Sequence, residues 1–321
     1  MGFATRRGDE LSVANTLFAI AIPYAALAIF IIGFIYRIIL WAHSPVPFHI
    51  PTVCGQQKSL PWIKSNKTES PSTIWGIIGR IALEIFLFRS LFRNDRAEFV
   101  GQERAIYRGN RLLWLGGLIF HWSLLIILLR HLKLFIEPVP GCVTFLQNLD
   151  GLFQVFTPTL LATDILIVIS LCCLFVRRVS NPQVRYISLI SDYFPLLLIL
   201  GIAISGILMR HYYRVDLLEI KQFTLGALSF SPIIPKDVGL IFYVHLFLVC
   251  ILFAYFPFSK LMHMGGVFMS PTRNLANDSR AKRHTNPWNY PVKAHTYDEW
   301  ENEFKDAIKE AGLPLEKEES R

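Results

Sequence analysis

Charge is what this sequence has least of. Only 17% of its 321 residues are Asp, Glu, Lys or Arg, where a soluble domain carries about 25%. The deficit gathers in long uncharged runs, which argues against an ordinary soluble protein and for one that lives in a bilayer. Cysteine is sparse as well: Cys54, Cys142, Cys172, Cys173 and Cys250 are scattered and none forms a C-x-x-C pair. That spacing does not suit an iron–sulfur cluster, a zinc site or a disulfide framework. Cys172, Cys173 and Cys250 read as small apolar side chains within spans. Nor is there an H-E-x-x-H motif, a nucleotide-binding loop, or the internal repeat and paired broken helices that mark many transporters.

The apolar residues that are present form five runs, 15–41, 112–136, 152–176, 187–209 and 238–262. Each exceeds the roughly 20 residues that cross a hydrocarbon core of about 30 Å. A sixth segment, 73–92, contains Arg80, Glu84 and Arg89. Each central charge costs about 2.5–3.5 kcal/mol, and apolar residues return only about 0.3–0.6 apiece, so insertion is near break-even or unfavourable. An interfacial or partner-covered helix is expected there, begun by Ser70-Pro71.

Lys and Arg then set an orientation. With the N-terminus outside, segments 37–111, 177–185 and 260–321 lie inside and hold 24 of the 32 basic residues, the bias of the positive-inside rule. The expected product is an all-α, multi-pass protein of the cytoplasmic membrane with five transmembrane helices. It has an outer segment 1–14, a first span 15–41, a cytoplasmic loop 42–110, a core 111–262 holding four spans, and a cytoplasmic tail 263–321. The tail carries a helix over 297–311. Thr296 and Glu299 make its capping box, Trp300, Phe304, Ala307, Ile308 and Ala311 form an apolar stripe, and Gly312 and Pro314 end it. The stripe is expected to dock on a soluble subunit or on this chain's own inner loop. The outer loop 210–237 contains FTLGALSFSPIIP, expected to lie along the outer surface or against a partner.

The chemistry rests on histidine. His43, His49, His284 and His295 fall in loops or the tail, and His211 ends the fourth span. The other four lie in the second and fifth spans: His121 and His131, ten apart, and His245 and His263, eighteen apart. Ionisable groups inside a bilayer are costly and mark function. Because the two spans are antiparallel, His121 is expected level with His263 on the inner side and His131 level with His245 on the outer side. Two such pairs can each clamp a planar macrocycle, filling both axial positions of an iron, which suits electron transfer. The arithmetic leaves a mismatch, since ten residues rise about 15 Å and eighteen about 27 Å. Pro257 lies between His245 and His263 and is expected to kink that helix.

Two pairs at these spacings resemble the gamma subunit of respiratory nitrate reductase and its relatives, five-span dihaem b cytochromes that oxidise quinol. Longer strings resemble one branch closely: SPVPFHIPTVCGQQKSLPWIK (44–64), FHWSLLIILLRHLKLFIEPVP (120–140), NPQVRYISL (181–189), YVHLFLVCILFAYFPFSKLMHMGGVFMSPTRNLAN (243–277) and NPWNYPVKAHTYDEWENEF (286–304). They are similar to the DsrM family, the membrane cytochromes of dissimilatory sulfite-reduction complexes, and the likeness covers nearly the whole chain. The resemblance implies two haem b groups with His121, His131, His245 and His263 as axial ligands, in a bundle of four-helix type. It implies electron exchange with menaquinone and a cytoplasmic iron–sulfur partner of the DsrK type, itself like heterodisulfide reductase. DsrJ-, DsrO- and DsrP-like membrane and periplasmic subunits would complete the complex. A gamma-type cytochrome of another complex, of nitrate reductase or heterodisulfide reductase type, is the alternative, and a proton-coupled transporter the more distant one.

On this reading the chain moves electrons and does no chemistry on a sulfur substrate by itself, and no nucleic acid is involved. For the quinone, Arg130, Lys133, Asp164, Arg210 and His211 are the candidates at the outer level. Arg130 and Lys133 have a second reading, pairing with haem propionates or snorkelling to the interface.

Overall fold

The computed structural model describes residues 16–44, 66–93, 95–100, 104–151, 160–235, 238–276 and 295–316. His49, Cys54, Trp62, His284 and the first eight positions of the expected span 152–176 lie outside them. In chain order the elements are α1 (Leu17–Ala42), α2 (Ile74–Leu87), α3 (Arg89–Phe92), β1 (Asp95–Val100), β2 (Arg104–Gly109), α4 (Arg111–Leu134), α5 (Gly141–Gly151), α6 (Ala162–Ser180), α7 (Pro182–Ile187), α8 (Ile190–Tyr212), α9 (Leu217–Leu228), α10 (Gly239–Phe258), α11 (His263–Gly266), α12 (Pro271–Asn274), α13 (Tyr297–Glu303) and α14 (Lys305–Glu310).

Among the described residues four helices, α1, α4, α8 and α10, are long and apolar enough to cross a membrane, where five were expected. The described part of the remaining expected span, 152–176, is represented by α6. It carries Asp164 in its first turn and Arg177 and Arg178 in its last, three charges that a lipid-facing helix would not tolerate alone. It sits instead beside its neighbours. Close packing runs from α4 to α6, α6 to α8, α8 to α10 and α10 to α1, while α4 and α10 are not among the closely packed pairs. Phe120, Ile167, Leu171 and Ile199 fill the centre of the first three. Most other apolar side chains of the long helices point outward, as lipid demands, and small polar residues such as Ser123, Ser170 and Ser205 lie buried between helices.

The all-α expectation holds for the packed helices but not for the loop before α4. There β1 and β2 pair antiparallel from Asp95↔Gly109 to Val100↔Arg104. The segment carries Phe99, Val100, Ile106 and Tyr107, β-branched and aromatic residues that suit a strand. Segment 73–92 is two helices rather than one. Thr73, not Ser70-Pro71, caps α2, its hydroxyl accepting the Gly76 N–H at 3.2 Å. Phe88 adopts a left-handed conformation, φ 48°, and separates α2 from α3. The freed carbonyls at this end are satisfied by α4: the indole N–H of Trp114 donates to Leu87 O at 2.7 Å and that of Trp122 to Phe86 O at 3.0 Å. The segment is thus covered on one side by its own chain.

Two further segments differ from expectation. The apolar stretch after α8 is not an extended loop: α9 packs back on the bundle through Phe223, whose ring meets Phe242 edge-on at 5.6 Å, and the Tyr24 hydroxyl donates to Ala227 O at 2.7 Å. The expected span 238–262 breaks early. Its α-helical part ends at Tyr255, Phe256–Phe258 is a 3₁₀ turn, Ser259 is extended at φ −116°, ψ 174°, and a second 3₁₀ turn, Lys260–Met262, leads into α11. Pro257 is the cause, having no N–H to donate and a ring that crowds the preceding turn. In the tail, Thr296 and Glu299 form the expected capping box and Gly312 is left-handed, φ 69°. The expected single helix divides at Phe304 into α13 and α14.

Candidate functional site

The break after α10 removes the mismatch in rise. From His245 to Tyr255 is ten residues, the same count as from His121 to His131, so both helices climb about 15 Å over those stretches. The remaining residues double back through two 3₁₀ turns. His263 therefore reaches His121 although α10 does not run straight to it: their ring centroids are 5.9 Å apart with planes at 78°. At the other level, His245 on α10 is close enough to His131 on α4 for a charge on one to be felt by the other.

Each ring is held by its Nδ1. His121 Nδ1 lies 2.7 Å from Gly117 O, His131 Nδ1 2.7 Å from Ile127 O and His263 Nδ1 2.8 Å from Lys260 O. A carbonyl oxygen only accepts, so all three rings carry their proton on Nδ1. His245 Nδ1 meets Ser205 Oγ at 2.9 Å. The Ser205 hydroxyl has one proton and donates it to Ile202 O at 3.0 Å, so here too Nδ1 is the donor. In all four the Nε2 lone pair is left for a ligand. That is the tautomer a metal requires, fixed by the hydrogen bond of the other nitrogen. His211 is built the other way round: its Nε2 is spent on Asp164 Oδ2 at 3.0 Å.

The surroundings make room for flat groups. A Cβ on Gly206 would come within 3.3 Å of His245 Cε1, so glycine is what lets that ring lie against α8. Phe88 and Phe120 each meet the His121 ring edge-on at 4.8 Å. His131 and His263 are exposed. Among the described residues no three His, Cys, Asp or Glu side chains converge as a metal site made of protein alone would need. A macrocycle that brings four nitrogens of its own needs only two. His121 and His263, with ring centroids 5.9 Å apart, bring together two imidazoles of the kind that would hold such a group.

The other expected residues form a separate buried cluster. Arg130 forms a salt bridge with Asp150, donates to Thr163 Oγ1 at 3.1 Å and pairs with Asp164 Oδ1 at 2.9 Å. Asp150 also accepts the Thr163 N–H at 3.0 Å and its hydroxyl at 2.6 Å, capping the start of α6 from α5. Arg130, Asp150, Thr163 and Asp164 are all buried, and His211 completes the chain through Asp164. Arg210 is exposed but lies near enough to feel the charges of Arg130, Asp164 and Asp150. Lys133 points elsewhere, donating to Gln147 Oε1 at 3.1 Å. Asp150, Thr163, Ser205 and Gly206 were missed in the sequence. A Ser-Gly pair inside an apolar helix marks a close approach, but nothing local says what approaches.

Residues 71–282 match the model of the family described as nitrate reductase gamma subunit. Among similar proteins is an "Hdr-like menaquinol oxidoreductase cytochrome b-like subunit" of Archaeoglobus fulgidus, 46% identical over 281 residues, covering 85% of this chain and 84% of that one. A protein of the same description from Archaeoglobus profundus is 42% identical over 275 residues, 84% and 81% of the two chains. The nitrate reductase gamma chain of Bacillus subtilis is 25% identical over 217 residues, 64% of this chain and 95% of that one.

Proposed function

The chain belongs to the nitrate reductase gamma-subunit family, and from that premise we propose that it is the dihaem b cytochrome subunit of a membrane respiratory complex, passing electrons between menaquinol or menaquinone and an iron–sulfur partner. The observation that carries this is the shared tautomer: four histidines, two on α4, one on α10 and one at the start of α11, each holding Nδ1–H in a hydrogen bond and leaving Nε2 open. His121 with His263 and His131 with His245 are the pairs proposed to hold the two haems. Menaquinol as the electron donor is supported by the descriptions of the two Archaeoglobus relatives.

Haem b bound at these two levels would supply the one-electron steps. The chain's own contribution is position. The Nδ1 hydrogen bonds fix ring rotation, Gly206 lets His245 approach α8, and the break at Pro257 brings His263 to the level of His121. The Arg130–Asp150–Asp164–His211 cluster holds buried charge beside His131. The His211 imidazole, held through Nε2 on Asp164 Oδ2, is the candidate acceptor for protons released on quinol oxidation at that end, and Arg210 is the neighbouring charge. A partner of heterodisulfide-reductase type is supported twice, by the Hdr-like designation of the archaeal relatives and by the loop strings that resemble the DsrM family. A place in dissimilatory sulfur metabolism, beside DsrK-, DsrJ-, DsrO- and DsrP-like subunits, rests on those strings alone.

Haem quantitation tests the proposal. The purified chain is expected to hold two b-type haems, and a menaquinol analogue is expected to reduce them. His131→Ala and His245→Ala should each remove the same haem and leave the other's spectrum intact. Loss of one common haem by His131→Ala and His263→Ala would overturn the pairing, and a colourless protein would overturn the function.

A further inference from the structure

Arg80 takes no part in the electron route. It sits in the middle of α2, only 9% exposed, and among the described residues neither its Nε nor its Nη1 has a hydrogen-bond partner. Buried polar groups are nearly always paired, so a buried guanidinium with idle donors calls for a partner. The neighbouring carboxylates are committed elsewhere. Glu84 accepts the N–H of Ser90 at 3.1 Å and its hydroxyl, while Glu69 is shared by Arg89 and Arg93. Lys67, Arg80, Arg89 and Arg93 therefore outnumber Glu69 and Glu84 in this region.

Arg80 lines an open trough of ≈ 640 Å³ that runs along α2. Lys67 and Thr68 stand beside it towards the start of the helix, and Leu83, Phe86 and Leu87 continue the wall towards its end. Nothing lies within 4 Å of where a Cβ on Gly79 would stand, so the floor is open too. A cationic head with a hydrogen-bonding hydroxyl, followed by an apolar wall, fits an amphiphile with an acidic head group and a hydrocarbon chain. A guanidinium pairs with phosphate oxygens through two parallel N–H bonds, and basic pockets beside membrane helices favour anionic lipids.

We propose that this trough binds an anionic phospholipid, its phosphate on Arg80 with Lys67 and Thr68, and one acyl chain along Leu83 and Phe86. The carbonyls of Phe86 and Leu87 hold the indoles of Trp122 and Trp114, so the lipid would brace α2 against α4.

The test is native mass spectrometry of the purified full chain with dioleoylphosphatidylglycerol, dioleoylphosphatidylcholine or inorganic phosphate. Phosphatidylglycerol should be retained about fivefold better than phosphatidylcholine. Arg80→Gln should abolish the preference and Arg80→Lys restore part of it. Gly79→Leu fills the trough where there is space and should remove binding while the visible spectrum stays unchanged, which separates a blocked site from a misfolded chain. Equal retention of the two lipids, or full retention in Gly79→Leu, would overturn the proposal. So would phosphate alone binding in an Arg80-dependent way and displacing the lipid, which would make this a site for a soluble anion.

Discussion

The two histidine levels use the same ring chemistry in opposite surroundings. At the His121–His263 level, one histidine comes from a continuous helix and the other from a short helix beyond a break. Two phenylalanines flank the first, and the charges nearby include an exposed lysine: Lys260 pairs with Asp192 at 2.5 Å, with Arg178 at 3.8 Å. At the His131–His245 level both histidines lie on continuous helices. One ring rests on Ser205 and Gly206, and a buried ion cluster adjoins the other. Charges out of water are felt more strongly than charges in it, so a change in proton occupancy matters at the second level and little at the first. On the proposed function, the contrast leads us to expect electron relay at one end and proton-coupled chemistry at the other.

The most severe way to break this comparison is to delete ligands. His263→Ala and His245→Ala should each halve the haem content, and redox titration should show that the survivors differ in potential and in how that potential varies with pH. Only the haem retained by His263→Ala, the one beside the ion cluster, should vary with pH. A pH dependence of equal size in both survivors would erase the difference between the ends.

A smaller blow is Asp150→Ala. It leaves Arg130 buried with Asp164 as its only carboxylate and should cost about 3–5 kcal/mol, read as a lowered midpoint of thermal unfolding. The matching change at the other end, Asp192→Ala, removes an exposed lysine's partner and the cap on the Leu189 N–H, and should cost about 0.5–2 kcal/mol. Equal costs would mean that the cluster is not shielded from water.

Finer still is the support of His245. Ser205→Ala should leave haem content unchanged but shift the absorption band and potential of one haem, and Ser205→Thr should restore them. Gly206→Ala, which crowds the ring, should shift the same band.

The smallest effect lies outside the spans. Burial pushes the Glu69 carboxyl up, but the Arg89 hydrogen bond and the charges of Arg89, Arg93 and Arg80 outweigh it and hold the group below its ordinary 4.5. The folded-state value is the lower one, so this stabilisation is present above about pH 4.5 and is lost as pH falls through the folded value. With Arg93 half exposed, it is worth about 1 kcal/mol or less. The hydrogen-exchange protection factor over 66–93, taken relative to the intrinsic rate at each pH, should fall slightly between pH 5 and pH 3 (about one decade at most), and Glu69→Gln should remove that pH dependence.

What was legible in the sequence was whatever a single helix or turn decides. The spacing of His121 and His131 places two rings on one helix without knowledge of its neighbours, and the Thr296–Glu299 box and Gly312 are local signals that the backbone obeys. What was not legible depends on approach. Asp164 was visible as a costly charge, but Asp150 and Thr163 become its companions only because α5 turns back onto the start of α6. Ser205 is one of several serines in apolar helices until α10 brings His245 to it. Pro257 announced a kink, yet a kink and a full break read alike in sequence. The hairpin was hidden because its charges were counted for topology and its β-branched and aromatic residues were not weighed.

The break at Pro257 also touches α1. A Cβ on Gly33 would come within 2.6 Å of the proline ring, and one turn later Arg37 Nε donates to Pro257 O at 3.1 Å. At 26 residues, α1 is about 39 Å long, more than the hydrocarbon core of about 30 Å, so it must lean. The contact at Gly33 gives it a fulcrum. In a thinner bilayer α1 can tip further about that point while the arms of the lever, not the ligand-bearing helices, take up the mismatch. The distance between the two histidine levels is then expected to stay constant across membranes of different thickness, and with it, on the proposed function, the rate of electron transfer between them.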